Sequence, residues 1–563
     1  MNLLKQVYAM PGIILLIFMI VYAKHIVYGG PGLDDELSYL VQANNDTLSL
    51  SALIGPRPER FLYGLSQYVM AGVFKEKFFL YIIAQLSTWV ITIAIINKFI
   101  KIIFDENVGR IFYLLSPHII FASAIVYSPY KVGGYELSLL LWALHINILM
   151  SYLSKNRITL YYLSYIFLLL SLFALEYIIG LLVISIIFPV IYKMINKEEP
   201  TRNLHYLLVK FITPVIIVCI SYFLFKVYIS KLFFFTETQI YGFTPFSLKS
   251  LFQALYFFIT ILVEFPIMLI EVIPNLFKWK VFFLAFGVTL FYFYLLNEFN
   301  KRKANINYKT NDRFYVWMFL ISLVSCSSIF LFSGYPSSTF GPYNKMMLPS
   351  FLIISILVSY CFSKMLTKSW MFIPTIISVL WISSMIIQVD NFVSAWKIRQ
   401  LIMNDLKNQL QTVTLRENSI LVANIPYFLK QNYNNEPVTY TTRAFKSHLK
   451  LIGAEEVLAF PICYRIITDR TFYPAHNFIN YLSDMNENSN YLYYEYEEGS
   501  ERGVLEQLFD KISLLEKFDE IKVNKINYHP IILREKIRLA FKKIPFIWNV
   551  YKRDVSEEIK QNI

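Results

Sequence analysis

The sequence predicts an all-α polytopic membrane protein of about eleven transmembrane helices, followed by a C-terminal mixed α/β domain that faces water. Three observations lead there. The 563 residues are 56% apolar and only 16% charged, whereas a soluble globular chain carries about 25% charged residues. Apolar runs recur from Val7 to Gln388, several near the roughly 20 residues needed to cross a bilayer. After Asp390 the runs stop and charges become frequent. The division is therefore 1–389 for the membrane region, with an outer loop at 28–77, and 390–563 for the soluble domain.

In order, the expected spans are 7–27, 78–97, 111–127, 135–153, 158–175, 177–193, 206–230, 280–297, 314–332, 346–363 and 369–388. The first follows Lys5 like a signal peptide, but Tyr22-Ala23-Lys24-His25 is not a small-residue cleavage site, so an uncleaved span is expected. The apolar stretch 158–193 is too long for one crossing, and a carboxylate at mid-membrane is costly; Glu176 is placed at a turn between two short spans. Residues 251–275 are apolar enough to cross, but Glu264, Pro266, Glu271 and Pro274 break up their second half. They are read as re-entrant or surface-lying, since the next span must end at Lys301-Arg302-Lys303, which favours the cytoplasm. In the tail, Ser419–Pro426 and Val438–Thr442 suggest strands, and Ala444–Gly453 suggests a helix ending at glycine. The basic, amphipathic Arg534–Arg553 suits a membrane surface.

With the N-terminus inside, Lys and Arg are roughly three times denser in the inner segments than in the outer ones, as the positive-inside rule requires. That puts the loop 28–77 and the tail outside. The same asymmetry accounts for the net charge of +13. No basic run interleaves with stacking aromatics, so nucleic acid is not an expected partner. Four cysteines, three of them in apolar spans, offer neither a disulfide framework nor paired metal spacing.

Chemistry-bearing residues concentrate in the outer segments. Asp34, Asp35 and Glu36 follow a Gly-Pro-Gly turn. Such crowded carboxylates raise one another's pKa. They suit a general base or, as hard oxygen ligands, a divalent cation; a solvated helix-capping cluster is the plainer alternative. Further on, GPRPERF (Gly55–Phe61) forms a stiff cationic turn. Arg57 and Arg60 there could bind phosphate through the guanidinium fork or contact lipid headgroups. Glu176 could orient an arginine, contact a sugar, or be an ordinary interfacial carboxylate.

An acidic pair just after the first span, followed by an Arg-Pro element in the same loop, resembles the GT-C superfamily of membrane glycosyltransferases. The resemblance extends to O-antigen glucosyltransferases and to the protein mannosyltransferase and aminoarabinose transferase group. SPYKVGGYELSLLLWAL (Ser128–Leu144) resembles their short second outer loop. LFALEYIIGLL (Leu172–Leu182) resembles a turn that often carries Lys-Glu, with Leu175 in place of the lysine. GPYNKMMLPSF (Gly341–Phe351) resembles a Tyr-x-x-Arg-Tyr-x-x-Pro element, with Lys345 for arginine and Met346 for the aromatic. The resemblance covers roughly residues 1–390. It implies a polyprenyl-phosphate sugar donor, usual inversion at the anomeric centre, and Asp35 or Asp34 as general base. It implies a glycan, lipid or protein acceptor on the outer face of a bacterial cytoplasmic membrane. Arg57, Arg60, Lys131 and Lys345 are the expected phosphate contacts, with Glu176 and Tyr343 also at the substrate. No cofactor is implied beyond that possible cation. A transporter or lipid flippase and an O-antigen polymerase or ligase are the competing expectations.

Overall fold

The computed structural model describes residues 20–24, 26–28, 49–50, 60–120 apart from 76, 132–195, 204–229, 247–300 apart from 271–272, 312–333, 344–365 and 372–413. In the tail it describes chiefly the strands. Described helices are α1 (Phe61–Phe74), α2 (Phe78–Ile103), α3 (Glu106–Ile120), α4 (Val132–Lys155), α5 (Ile158–Ala174), α6 (Leu182–Ile195), α7 (Leu204–Leu224), α8 (Leu248–Ile259), α9 (Phe265–Ile270), α10 (Ile273–Leu276), α11 (Trp279–Asn300), α12 (Asp312–Ser325), α13 (Ser328–Ser333), α14 (Leu348–Met365) and α15 (Phe372–Leu410). Short 3₁₀ turns cover Glu176–Leu181 and Asn344–Met347, and π-helical turns cover Phe225–Ile229 and Thr260–Glu264.

Among the described residues, eight segments are long and apolar enough to cross a membrane: Phe78–Ile103, Gly134–Lys155, Glu176–Met194, His205–Leu224, Leu248–Met268, Arg313–Leu331, Leu348–Met365 and Thr375–Leu410. The protein is thus mostly helical and suited to multiple membrane crossings. Of the other expected spans, 158–175 and 280–297 correspond to shorter apolar helices. The span at 111–127 is described only as far as α3 extends, and 7–27 only from residue 20.

Side-chain contacts give the bundle two ends. Gln85 near the start of α2 donates to Glu136 near the start of α4 (2.7 Å), so α2 and α4 start at one end. The other end collects Phe104 against Tyr315, Phe319 and Tyr360 from α12 and α14. There the chain turns back into α3, where Asp105 caps the helix by accepting from the Val108 N–H (2.8 Å). The turn expected at Glu176 is present. α5 stops at Ala174 because Leu175 is extended (φ −165°, ψ 134°). Its last carbonyls still find a donor, since the Ser138 hydroxyl donates to Ser171 O and Leu175 O (2.8 and 3.0 Å). Gly180 then meets the next layer so closely that an added Cβ would lie 2.7 Å from Cys326 Cα, a contact only glycine permits.

Residues 251–275, expected as re-entrant or surface-lying, lie mostly in α8, the π turn and α9. Ser247 caps α8 by accepting from the Ser250 N–H (3.1 Å). Leu248–Met268 is long enough to cross. Its rings nevertheless meet Phe330 (through Phe257) and Phe351 (through Phe265). Phe330 follows the Gly180–Cys326 contact, and Phe351 lies in the first turn of α14, so both partners belong to the Glu176 end.

α15 is a single helix of 39 residues that continues well past Asp390. Lys24 pairs with Asp390 (2.5 Å), and Lys397 lies over the Tyr28 ring (4.9 Å to its centre). Both numbers rise together, so the helical residues 20–24 and 26–28 run parallel to α15. The exposed ion pair adds little stability; its value is in fixing direction.

Beyond α15, a four-stranded sheet has the order β4-β1-β7-β8. β1 (Ser419–Ile425) is parallel to both β4 (Leu458–Cys463) and β7 (Asn490–Glu495), while β8 (Val504–Leu508) pairs antiparallel with β7. The apolar run Ile420–Ala423 is buried throughout, as a central parallel strand covered on both faces should be. β2 (Phe428–Lys430) pairs with β3 (Val438–Thr439), and β5 (Arg465–Ile467) with β6 (Arg470–Phe472). The expected strands at 419–426 and 438–442 are present in whole or in part. The helix expected at 444–453 lies outside the described residues except for Leu449, which is helical. Of the basic segment 534–553 few residues are described; Phe541 packs on Tyr256 of α8 (4.9 Å between ring centres). α15 is joined to the sheet through Asp405. Its Oδ2 accepts from Gly503 N–H (2.8 Å), Tyr494 OH (2.9 Å) and Gln409 Nε2 (2.9 Å).

Candidate functional site

Three charged side chains from distant parts of the sequence meet at the Glu176 end. Arg60 caps the start of α1, Glu176 opens the 3₁₀ turn after α5, and Lys226 sits in the π turn after α7. The Arg60 guanidinium takes both carboxylate oxygens, Nε to Oε2 at 2.9 Å and Nη2 to Oε1 at 2.5 Å. This is the side-on, bidentate geometry that makes arginine–carboxylate pairs strong. Lys226 Nζ stands 3.8 Å from Oε1 of the same carboxylate. Arg60 and Lys226 are buried, and the Glu176 side chain is only 17% exposed.

Each charge has a phenylalanine close by in sequence, and these three rings pack together. Phe61 lies 5.3 Å from Phe173 and 6.1 Å from Phe225, and Phe173 lies 4.8 Å from Phe225. The charges themselves are largely out of water, and that low-dielectric setting strengthens the pairing and raises the cost of breaking it. A π turn is an uncommon element often found at functional positions.

The wall beside this cluster comes from α4. An added Cβ at Gly134 would sit 2.5 Å from the Tyr63 ring, so α1 and α4 touch there without a side chain between them. Tyr177 donates its hydroxyl to Tyr135 O (2.5 Å), and the two rings are 5.4 Å apart. One residue on, Glu136 is fully buried and accepts from Gln85.

The chain matches no family model, no curated protein and no solved structure. Its own geometry is therefore the guide to the site.

Of the residues singled out in the sequence, the structure unites Arg60 and Glu176 across 116 positions. Glu176 is paired with an arginine. The Arg60 fork, expected on phosphate, is here occupied by that carboxylate. The backbone of Lys345 lies in the 3₁₀ turn leading into α14, and its side chain is outside the described part of the structure. Asp34, Asp35, Glu36, Arg57, Lys131 and Tyr343 lie outside the described residues. The expected cation site falls among them; no cluster of three metal-ligating side chains occurs among the described residues. Sequence reasoning missed Lys226, Glu136 and Gln85. For Lys226 the one signal was a lysine close to the end of an apolar span, a placement that also reads as an ordinary helix end.

Proposed function

We propose that this protein is a membrane glycosyltransferase that moves a sugar from a polyprenyl-phosphate donor to a cell-envelope glycan, lipid or protein acceptor, with inversion. The observation that carries the proposal is the Arg60–Glu176–Lys226 cluster. It gathers the end of the first loop, the turn after α5 and the approach to the segment 230–247 at one end of the bundle. Two cations on one carboxylate leave this trio with a net positive charge. A leaving polyprenyl phosphate gains negative charge as the bond from the anomeric carbon to the phosphate oxygen breaks. Fixed cations lower that barrier. On the opposite face of the sugar, the acceptor hydroxyl forms the new bond and gives its proton to Asp35 or Asp34.

In this scheme Arg60 is a positioning residue held by Glu176, and Lys226 joins Arg57, Lys131 and Lys345 as a phosphate contact. The parallel run of residues 20–28 and α15 supports a first loop and tail that leave the membrane on the same, outer face. Lys226→Gln is expected to raise the KM for lipid donor more than it lowers kcat, measured in proteoliposomes. The deciding experiment compares Asp34→Asn with Asp35→Asn. Asparagine preserves shape but cannot accept a proton, so one variant should lose turnover by about 100-fold or more while still binding donor. Full activity in both would remove the loop from catalysis. Rescue by excess divalent ion would assign it to a metal instead.

A second reading, as a transporter or lipid flippase, draws on the burial of Glu136, Glu264 and Lys226 within helical segments. Ionisable groups inside a bundle often mark a transport path. Donor-dependent glycan formation by the purified protein separates the two.

A further inference from the structure

We infer that the end of the bundle remote from Arg60 carries a binding site for an anionic phospholipid, where the α4–α5 turn meets the first turns of α7. α5 rises about 24 Å from Ile158 to Ala174, so this site lies on the other side of the membrane from the charge cluster.

The site is assembled from three short stretches. α4 ends at Lys155, Asn156 turns the chain through a left-handed conformation (φ 51°), and Arg157 precedes the first residue of α5. Lys155, Asn156 and Arg157 are all exposed. Opposite them, the Lys210 ammonium lies between two aromatic faces, 5.8 Å from the centre of Tyr152 and 5.6 Å from that of Tyr206. The Tyr161 hydroxyl ties α5 to α7 by donating to Lys210 O (2.6 Å). Lys210 is thus held in a braced aromatic frame, next to the turn that carries the exposed Lys155 and Arg157.

The surface that continues along the same helices identifies the occupant. Tyr162 and Ile166 on α5, and Val209 and Ile216 on α7, are exposed apolar or amphipathic side chains. A cationic rim continuous with an apolar strip matches a molecule with an anionic head and hydrocarbon tails. It does not match nucleic acid or an acidic peptide, which lack the tails. Tyrosine is the side chain suited to this depth, with its ring among acyl chains and its hydroxyl among headgroups. Basic pockets between helices at this level hold phosphate-bearing headgroups.

The test uses the purified full-length protein and three defined probes: phosphatidylglycerol, cardiolipin and phosphatidylcholine, with retained lipid counted by native mass spectrometry. The parent should retain both anionic lipids in preference to phosphatidylcholine. Arg157→Gln and Lys210→Gln should each weaken anionic-lipid retention by about fivefold and leave phosphatidylcholine unchanged. Lys210→Arg keeps the charge and the aromatic stacking and should behave as the parent does. Arg157 is exposed, so its variant should fold even if the Lys210→Gln protein does not. Parental retention of anionic lipid by Arg157→Gln would overturn the inference, as would equal loss of all three lipids. The measurement involves no sugar transfer, so its outcome is independent of the proposed enzyme activity.

Discussion

Glu176→Ala is expected to destabilise the protein by about 3–5 kcal/mol, the typical cost of breaking a buried ion pair from one side. The reason lies in the burial of both partners. Arg60 and Glu176 have side chains only 8% and 17% exposed, so removing the carboxylate leaves a guanidinium out of water without its bidentate partner. Arg60→Ala should cost less, because Glu176 keeps Lys226 at 3.8 Å. The double variant Arg60→Met/Glu176→Leu should recover most of the loss, since well-packed apolar side chains often replace a buried ion pair without penalty. Chemical denaturation of the purified protein in detergent measures all three. A Glu176→Ala protein within about 1 kcal/mol of the parent would show that the pair does not hold the bundle end together. The double variant also separates roles: a stable protein lacking donor turnover would assign the cluster to chemistry as well as to structure.

Asp405→Ala is expected to release the tail while sparing the membrane region. One carboxylate oxygen serves a backbone N–H, a phenol and a side-chain amide. Hydrogen bonds to a charged acceptor contribute about 1.5–3 kcal/mol each and are not additive, so a local loss of about 2–4 kcal/mol is reasonable. Proteolysis within 411–508 should then quicken by roughly 30- to 1000-fold where cleavage follows the open population. Cleavage at unchanged rate would mean that strand pairing alone seats the sheet. Burial first, and then the Asp405 carboxylate, push the Tyr494 phenol well above its ordinary range. This contribution is complete below the unfolded tyrosine value of about 10 and falls away as pH rises past it.

The helices were legible because a membrane imposes a long apolar run on any segment that crosses it, and the pattern of β1, SILVANI, suggested a strand, which the structure shows to be buried. The turn at Glu176 was legible for a related reason: a carboxylate in an apolar stretch must find an edge or a partner. Glu176 has both. The partner's identity was open, because Arg57 and Arg60 differ little in sequence context and only the start of α1 decides which reaches Glu176. Lys226 was not singled out. An apolar span ending in Phe-Leu-Phe-Lys-Val reads as an ordinary helix end, and the π turn that buries the lysine has no local signature. The extent of α15 also escaped notice, since charges after Asp390 mark the water boundary without marking the end of the helix.

That continuous helix makes the tail a geared load. A 39-residue helix is about 58 Å long, and the hydrocarbon core accounts for about 30 Å. Roughly 28 Å therefore projects as a shaft with the sheet clasped near its tip at Asp405. A shaft turns small rotations into large displacements. Tilting α15 by about 10°, well within the range membrane helices adopt, carries the sheet sideways by about 5 Å. A change in bilayer thickness, or a ligand that spreads the helices at the Glu176 end, is thereby magnified at the far end of the rod, with no hinge to absorb it.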